Sequence, residues 1–465
     1  MKNIAIQMKS SQKLIGLVMS AMLALVSCNK QQEQPVTLSS ANSKLSVTNN
    51  RVITATGGTF SVLSYNVAGL PEIVSSAQTP RAASTALIGK IANAYDIVHV
   101  QEDFNYHAEL YDKGNAHPYR SSTSGGVPVG DGLNSMSYFP MTDFARITWK
   151  KRINENALIP KGFTYCRYRL ADGVYVDVYN MHTNAESDQA SIEARANNLL
   201  QLSNYIAVNS KGNAVILMGD SNGRYTRDNN LHLFLDLNGM TDPWIELIRG
   251  GNIPVLGSAA IVCDFPNISN TCEIVDKIYY RSSKFIKLQA SGYNVVKSFV
   301  NDAGQQLSDH MPLTTNFTYT LQSAFGASDL FGGPHGNPFN DLETLTSANN
   351  AKVFTLKGAN RVDGIGVTFA DGTILKHGGN GGTSQSLTLQ NGETVTSAML
   401  CSGEYSGLTR IFYLKLTTSL GRSLAVGTAT SNVITYTAPA GYKITGFYGN
   451  AGDEVDKLGV IYMKN

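Results

Sequence analysis

The sequence predicts an α/β body followed by an all-β domain, because the residue composition and the hydrophobic pattern change once along the chain. Before the segment LQSAFGASDLFGGPHG, short segments rich in β-branched and aromatic residues alternate with a helical pattern. After it, Gly and Thr are abundant, and short strands are joined by Asp-Gly, Asn-Gly and Gly-Gly turns. We therefore expect an α/β body over residues 57–321, large enough for a substantial core, and a β domain over residues 322–465.

Six segments of the body have the character of strands, because each is short, apolar and bounded by Gly, Asn or Asp. One longer segment, SDQASIEARANNLLQLSNYIAV, instead predicts a helix, since Ile192, Leu199, Leu202 and Ile206 share one helical face. The predicted strands are FSVLSYNV, YDIVHVQE, VYVDVYNMH, NAVILMGD, EIVDKIYY and MPLTTNFTYT.

The amino terminus has the pattern of a signal for export. Three lysines precede the apolar run LIGLVMSAMLALV, which is too short to span a bilayer. The ending LVSC resembles a bacterial lipobox, which implies a signal over residues 1–28 and lipidation of Cys28. Residues 29–56 are polar and aperiodic, which is typical of a flexible linker. We expect a lipoprotein held at the outer membrane or cell surface, or released extracellularly.

The charge balance makes a nucleic-acid partner less expected. Of the 37 Lys and Arg residues, the three lysines of the signal are lost on cleavage, which leaves 34 against 35 acidic residues. Counterion release on nucleic acid needs clustered basic residues, and the mature sequence contains no basic run. A local positive groove stays open as an alternative.

Four further cysteines are able to pair in an exported protein. Cys263 and Cys272 flank the turn-rich segment DFPNISNT, which favours a local disulfide between them. The pairing of Cys166 and Cys401 is left open. The CxxC spacing of zinc sites is missing from the sequence.

Polar side chains collect where the predicted strands of the body begin or end. A single Asn or Asp at such a place is explained by turn formation. Six strands with such ends indicate a common site, because several acids packed together are costly unless a cation or a protonated partner compensates. The residues concerned are Asn66, Glu102, Asp103, His182, Asn184, Asp220, Asn222, Asp276, Asp309 and His310.

The side-chain types at these ends favour phosphate chemistry on a divalent cation. Carboxylate and amide oxygens, without Cys or paired-His spacing, suit Mg²⁺, with Mn²⁺ as the alternative, rather than zinc. Two histidines beside such a cation are able to meet the charge that builds on a phosphoryl group. We therefore expect a metal-dependent hydrolase of phosphoric esters.

The segments SYNVAG, QED, MGDSN, DKI and SDHMPL, in this order across residues 59–320, resemble the endonuclease/exonuclease/phosphatase superfamily, the DNase I-like group. The resemblance implies a four-layer α/β sandwich with the site at one edge of the paired sheets. It also implies that Glu102 is the principal metal ligand, and that Asn66 and Asp309 help to hold the metal and its hydration.

The same resemblance implies the catalytic roles. Asp220 would orient or deprotonate the attacking water, and Asn222 would position that water and the phosphate. Asp276 would hold the imidazole of His310, while His182 and His310 would stabilise the phosphoryl oxygens and the leaving group. The implied reaction is in-line attack of water on phosphorus without a covalent intermediate.

The segment DGLNSMSYFP, residues 131–140, resembles a segment of neutral sphingomyelinases and of some inositol phosphatases in this superfamily. It favours a phospholipid phosphodiesterase, which suits an enzyme anchored by lipid. A glycine turn feeding a strand is the purely structural explanation of this segment. The alternative functions are a secreted DNase I-like endonuclease and a catalytically silent, glycan-binding adhesin.

Residues 322–465 resemble a jacalin-like lectin domain. The resemblance rests on the glycine-rich opening FGGPHGNPFND, the strand pair around GIGVTFADGT, and the closing segment GNAGDEVDKLGVIY. It implies a β-prism that binds carbohydrate, and a β-prism used only for packing or protein contact is the structural alternative. Gly452 and Asp456 match the family's Gly-x-x-x-Asp loop, and Gly333 or Gly336 matches its opening glycine.

Overall fold

Two β-sheets lie face to face in the amino-terminal body. The computed structural model describes residues 51–54 and 56–465. The predicted signal with Cys28 and the first part of the predicted linker lie outside the described residues. The strands of this body, in chain order, are β1 (Val52–Thr54), β2 (Gly57–Asn66), β3 (Ile97–Gln101), β4 (Tyr119–Arg120), β5 (Asn134–Ser137), β6 (Met141–Thr148), β7 (Gly162–Ala171), β8 (Val174–His182), β9 (Ala214–Asp220), β10 (Asp276–Arg281), β11 (Ile286–Val295) and β12 (Leu313–Leu321).

The order of the strands brings the predicted site segments to neighbouring positions. The first sheet has seven strands in the order β11-β12-β2-β3-β5-β4, with β1 paired to β2. The second sheet has five strands in the order β10-β9-β8-β7-β6. In both sheets a central pair is parallel, namely β2 with β3 and β8 with β9, so their carboxyl ends meet at one edge. The strand β1 occupies residues that the sequence placed in the linker.

Helices cover the outer face of each sheet. On the first sheet, the side chains of Leu63 and Tyr65 pack outward against the helices, whereas Val62 faces the second sheet, which is the alternation of a strand. The helices are α1 (Arg81–Ile91) and α2 (His107–Asp112) on the first sheet, and α3 (Gln189–Asn209) and α4 (Asn229–Asn238) on the second. The predicted four-layer α/β sandwich is therefore confirmed.

The predicted long helix is α3. Its amino terminus is capped by Asp188, whose carboxylate accepts a hydrogen bond from the backbone N–H of Ser191 at 3.1 Å. Leu199, Leu202 and Ile206 are buried on one face, as their spacing predicted. Short helical turns of other types occupy Ala92–Ala94, Asn154–Ala157, Trp244–Ile248 and Asp341–Glu343.

The carboxy-terminal domain is all-β, as predicted, and its strands enclose one core in the manner of a β-prism. A nine-stranded and a four-stranded sheet contribute Leu356, Val367, Leu414 and Phe447 to that core. The strands are β13 (Phe325–Ala327), β14 (Phe331–Gly332), β15 (Asn337–Asn340), β16 (Ala351–Gly358), β17 (Val362–Phe369), β18 (Ile374–Gly378), β19 (Thr383–Thr388), β20 (Val395–Tyr405), β21 (Leu408–Thr418), β22 (Ser423–Gly427), β23 (Asn432–Thr437), β24 (Tyr442–Ala451) and β25 (Val455–Lys464).

The β domain packs against one end of the sandwich. Asp329 accepts hydrogen bonds from Arg169 at 2.6 and 2.9 Å, from the Gly173 N–H at 2.8 Å and from the Tyr175 hydroxyl at 3.0 Å. These three partners lie at the turn between β7 and β8. Lys284, at the turn between β10 and β11, donates to carbonyl groups of the β domain. Both turns lie at the end of the sheets opposite to the carboxyl ends of β8 and β9.

Cys263 and Cys272 form the predicted disulfide, whereas Cys166 and Cys401 are buried thiols within the described chain. Among the residues that the structure describes, none of the helices combines the length and the apolar character needed to cross a bilayer.

Candidate active site

The predicted site residues converge at the edge where β2, β3, β8 and β9 end. Asn66 is the last residue of β2, and Glu102 directly follows β3. His182 and Asp220 end β8 and β9 and face each other in register, and Asp276, the first residue of β10, pairs with Asp220. The pairing of these buried strands thus fixes the backbone positions of the site residues.

Asn66 links two carboxylates across the two sheets. Its side-chain amide donates to Oε1 of Glu102 at 3.1 Å and to Oδ2 of Asp220 at 3.2 Å. Its own oxygen accepts the backbone N–H of Ala68 at 3.0 Å, which fixes the orientation of the amide. Asn66 is fully buried, so its amide defines the floor of the site.

Gly132 allows its segment to pack closely against the backbone of Glu102. Its φ is +70°, and a Cβ atom there would lie 3.0 Å from the Glu102 Cα and 2.6 Å from the ring of Phe104. Glycine is therefore required at this point of the DGLNSMSYFP segment. Asp131 pairs with Arg146 at 2.7 Å, which holds the beginning of this segment in place.

The two site histidines are in different electrostatic states. The ring of His310 contacts Asp276 at 3.0 Å and lies 3.8 Å from Asp220. Burial alone would lower the pKa of His310, but the carboxylates of Asp276 and Asp220 outweigh it and raise that pKa well above its usual value. Burial, reinforced by the charge of Lys161, lowers the pKa of His182 well below its usual value. His310 is therefore the cationic imidazole, and His182 is the neutral one.

Lys161 is a site residue that the sequence analysis missed. Its Nζ lies 2.9 Å from Nε2 of His182, in a buried position directly before β7. The ring of His182 is 3.4 Å from Asp220 and 3.8 Å from Glu102, and the charge of Lys161 acts to lower the pKa of both carboxyl groups. Its sequence signal was a lysine in the apolar stretch LIPKGF, but only the strand order shows that this stretch reaches the site.

Two more predicted residues border this centre. Asp309 accepts a hydrogen bond from Ser76 at 2.6 Å and contacts Ser308 at 3.3 Å, which places it on the side of the site near His310. Asn222 donates its backbone N–H to Oδ1 of Asp220 at 2.9 Å and adopts a φ of +48°. That local bond orients the Asp220 carboxylate.

Two strand-end residues of the initial set have other structural partners. Asp103 pairs with His107 at 2.6 Å and accepts the side-chain amide of Asn134 at 2.7 Å. Asn184 accepts the backbone N–H of Ile153 at 3.0 Å. These contacts organise the loops around the site.

The donor set fits a hard divalent cation. Burial raises the pKa of Glu102, because its negative charge has lost most of its hydration and Lys161 offsets this loss only in part. Oxygen atoms of Asp220 and Asp276 and a ring nitrogen of His310 lie within 4.8 Å of one another, and because the charged imidazole has no lone pair to offer a metal, only the carboxylates of this group are candidate ligands. Among the described atoms, Oδ1 of Asp276 is buried without a hydrogen-bond partner. Such concentrated and incompletely satisfied oxygen atoms are suited to Mg²⁺ or Mn²⁺.

The predicted carbohydrate-loop residues also come together in the β domain. The Gly333 N–H donates to the backbone oxygen of Asp456 at 2.8 Å, and a Cβ atom at Gly336 would lie 2.5 Å from the Asp456 carboxylate. Gly452 packs beside Gly336. Asp456 also binds Arg410 at 2.8 Å, a partner that the sequence analysis did not anticipate.

Comparison with known proteins identifies both domains. Residues 63–259 match the model of the endonuclease/exonuclease/phosphatase family 2. This domain belongs to the endonuclease/exonuclease/phosphatase family. Residues 328–461 match the jacalin-like lectin domain, so the β domain is jacalin-like.

Relatives of the endonuclease/exonuclease/phosphatase domain include sphingomyelinases of Mycobacterium bovis and Mycobacterium tuberculosis. Each is 42% identical over 274 residues, which cover 57% of this chain and 54% of the relative. The chain thus spans about half the length of these relatives. Among solved structures, a beta toxin of Staphylococcus aureus is 17% identical with a TM-score of 0.40, covering 55% of this chain and 99% of that one. Malaysian banana lectin is 26% identical with a TM-score of 0.27, covering 30% and 99%.

Proposed function

We propose that the endonuclease/exonuclease/phosphatase domain hydrolyses phosphoric diesters with a divalent metal, and that its substrate is a phospholipid of the sphingomyelin type. The observation that carries this proposal is the contact of Asn66 with both Glu102 and Asp220, one carboxylate from each sheet. The identity of 42% to proteins named sphingomyelinase supports the choice of substrate.

Four side chains of the site have distinct proposed roles in the reaction. Burial alone would raise the pKa of Asp220, but the surrounding groups, His310 foremost, together outweigh burial and lower that pKa. Asp220 is therefore an ionised acceptor suited to orient or deprotonate water. His310 is charged and able to donate to a phosphoryl oxygen or to the leaving group. Lys161 provides a second cationic donor beside the neutral His182. These fixed charges meet a transition state in which negative charge spreads over the phosphoryl oxygens.

Glu102, Asn66 and Asp309 are the residues that would hold the cation. A bound Mg²⁺ or Mn²⁺ supplies Lewis acidity and neutralises charge on the phosphoryl oxygens. The chain's own contribution is to orient the ester for in-line attack and to keep Asp220 ionised.

We also propose that the protein is exported, carries lipid on Cys28 and uses its jacalin-like domain to bind carbohydrate. The apolar run and the LVSC ending support export and lipidation. The juxtaposition of Gly333, Gly336, Gly452 and Asp456 supports the carbohydrate site. Binding to a glycan-rich surface would raise the local concentration of substrate.

A comparison of substrates tests the proposed activity. Purified protein is incubated with sphingomyelin vesicles and, separately, with duplex DNA, each with Mg²⁺ and with excess EDTA. We expect release of the phosphorylated head group from the vesicles, and we expect EDTA to abolish it. Asp220→Asn should lose the activity, whereas Asp112→Asn, at a side chain that is 72% exposed, should keep it. Cleavage of DNA with intact vesicles would assign the domain to the endonucleases, and inertness toward both substrates would favour an adhesin.

A further inference from the structure

Two loops that carry proposed metal-holding residues are fastened to each other at the candidate active site. One loop follows Asn66 at the end of β2 and leads to α1, and the other leads to β12 and contains Asp309. The Ser308 hydroxyl, from the second loop, donates to the Asn66 carbonyl at 2.7 Å. We call residues 67–80 and residues 306–309 the two site loops.

The guanidinium group of Arg81 lies between the site loops. Arg81 is the first residue of α1, and its side chain is fully buried. Its Nη2 donates to the carbonyl groups of Leu307 at 2.5 Å and Val67 at 3.2 Å, and its Nη1 donates to the carbonyl of Thr79 at 3.3 Å. One side chain therefore fastens backbone positions of both site loops.

The hydrogen bonds of Arg81 act next to two of the proposed metal-holding residues. Val67 directly follows Asn66, and Leu307 is two residues before Asp309. Because both backbone segments are buried at these points, the carbonyl groups have little freedom to move while the guanidinium holds them. The position of Arg81 therefore sets the spacing between Asn66 and Asp309, which belong to different loops.

Packing alone does not account for a buried cation at this place. A buried guanidinium loses its hydration, and in the part of the chain that the structure describes its hydrogen bonds go to neutral oxygen atoms. Its Nε atom is buried without a partner among the described residues. An apolar side chain would fill the same volume without this loss of stability. A planar guanidinium, with several N–H donors in fixed directions, is instead the side chain suited to hold several carbonyl groups at once.

We propose that Arg81 is a positioning residue, which sets the spacing of Asn66 and Asp309 for a divalent cation through the two site loops. Glu102 and Asp220, by contrast, stand at the ends of buried strands and are positioned by the sheets. Arg81 therefore governs how tightly the cation binds more than how fast the loaded protein reacts. This inference rests on the proposed function for the presence of the cation, although metal binding is measurable without turnover.

Binding of Mn²⁺ to the full chain tests the proposal, measured through the electron paramagnetic resonance signal of the free ion. Arg81→Lys keeps the buried charge but loses the planar group, and Thr79→Val removes a hydroxyl that accepts from Nη1 at 3.5 Å and donates to the Gln306 carbonyl at 3.0 Å. The control variant is Arg167→Lys, at a buried arginine that pairs with Asp177 in the first half of β8, away from the site edge. Urea unfolding midpoints are measured in parallel, as is cleavage of a soluble choline phosphodiester at saturating Mn²⁺.

We expect Arg81→Lys to weaken Mn²⁺ binding by about 10–100-fold, as is usual when a residue that orients metal ligands is lost. Its kcat at saturating Mn²⁺ should stay within about threefold of the wild type, because the bound ion restores the spacing of the loops. Thr79→Val should weaken binding by about threefold. Arg167→Lys should lower the unfolding midpoint and leave Mn²⁺ affinity unchanged.

Wild-type Mn²⁺ affinity in Arg81→Lys, or in Thr79→Val if the first variant does not fold, would overturn the proposal. An equal loss of affinity in Arg167→Lys would also overturn it, since both losses would then follow from lower stability, and so would a wild-type protein that binds no Mn²⁺. If Mn²⁺ binds as expected but no ester is cleaved, the proposed function fails while the role of Arg81 stands.

Discussion

Removal of the His310 imidazole should slow turnover by about 10²–10⁴-fold, which corresponds to about 2.7–5.4 kcal/mol in the activation barrier. The side chain is positioned through Nδ1, which contacts Asp276 at 3.0 Å, while Nε2 lies 3.8 Å from Asp220 and is free to donate to substrate. The carboxylates also keep the ring charged. His310→Ala therefore removes a donor that is already oriented and cationic, and the upper part of the range is expected.

The same substitution leaves the carboxylate of Asp276 buried without its partner, which should also destabilise the fold by about 3–5 kcal/mol. A matched control exists in the jacalin-like domain, where His377 contacts Asp341 at 2.6 Å. The exposed fractions of the two imidazoles are nearly equal, 20% for His310 and 19% for His377. His377→Ala should reproduce the loss of stability while keeping the activity.

The assay is kcat/KM on a soluble choline phosphodiester, measured well below the unfolding temperature of each variant. If His310→Ala retains kcat/KM within about threefold of the wild type, or if His377→Ala loses as much activity as His310→Ala, the assignment of His310 to the reaction centre is wrong.

Three further predictions concern other buried groups. Lys161→Met should lower kcat by about 10²-fold with little change in the unfolding midpoint, as expected for the loss of one positioned donor. An unchanged kcat would show that Lys161 has no role in the reaction. Burial lowers the pKa of His99 to about 3 from 6.5. The His99 ring therefore stays neutral in the folded protein, whereas in the unfolded protein it takes up a proton below pH 6.5. Stability should therefore fall by about 2 kcal/mol between pH 6.5 and 5 in urea titrations, and His99→Gln should remove this component. Asp329→Ala breaks the four hydrogen bonds to Arg169, Gly173 and Tyr175 and should cost about 2–3 kcal/mol, visible as a lower urea midpoint or as separate transitions of the two domains.

The local pattern of the sequence was sufficient to predict the four strands that position the candidate site. Alternating or continuous apolar segments marked β2, β3, β8 and β9, and the polar residue after each strand marked the edge where they end. Parallel pairing then brings such ends together, which is why Asn66, Glu102, His182 and Asp220 could be placed in one site. The helix α3 was equally accessible because its apolar spacing and its Asp188 cap are both local signals.

Lys161 could not be found in this way, because its role depends on which strand lies beside β8. The antiparallel pairing of β7 with β8 opposes Phe163 to Met181, and this register carries the preceding lysine to His182. The different charge states of the two histidines were also beyond the sequence, since they result from burial and from neighbours distant along the chain. The Arg410 partner of Asp456 escaped prediction for the same reason.

The placement of the jacalin-like domain limits which molecules the protein engages at once. The jacalin-like domain contacts the turns that precede β8 and follow β10. The nine-residue length of β8, about 30 Å, therefore separates these contacts from His182. A glycolipid whose sugar is joined directly to the scissile phosphate is too short to reach both ends. Under the proposed function, glycan and ester would therefore belong to different molecules, or to distant parts of a large one, and the protein would act as a spacer between them.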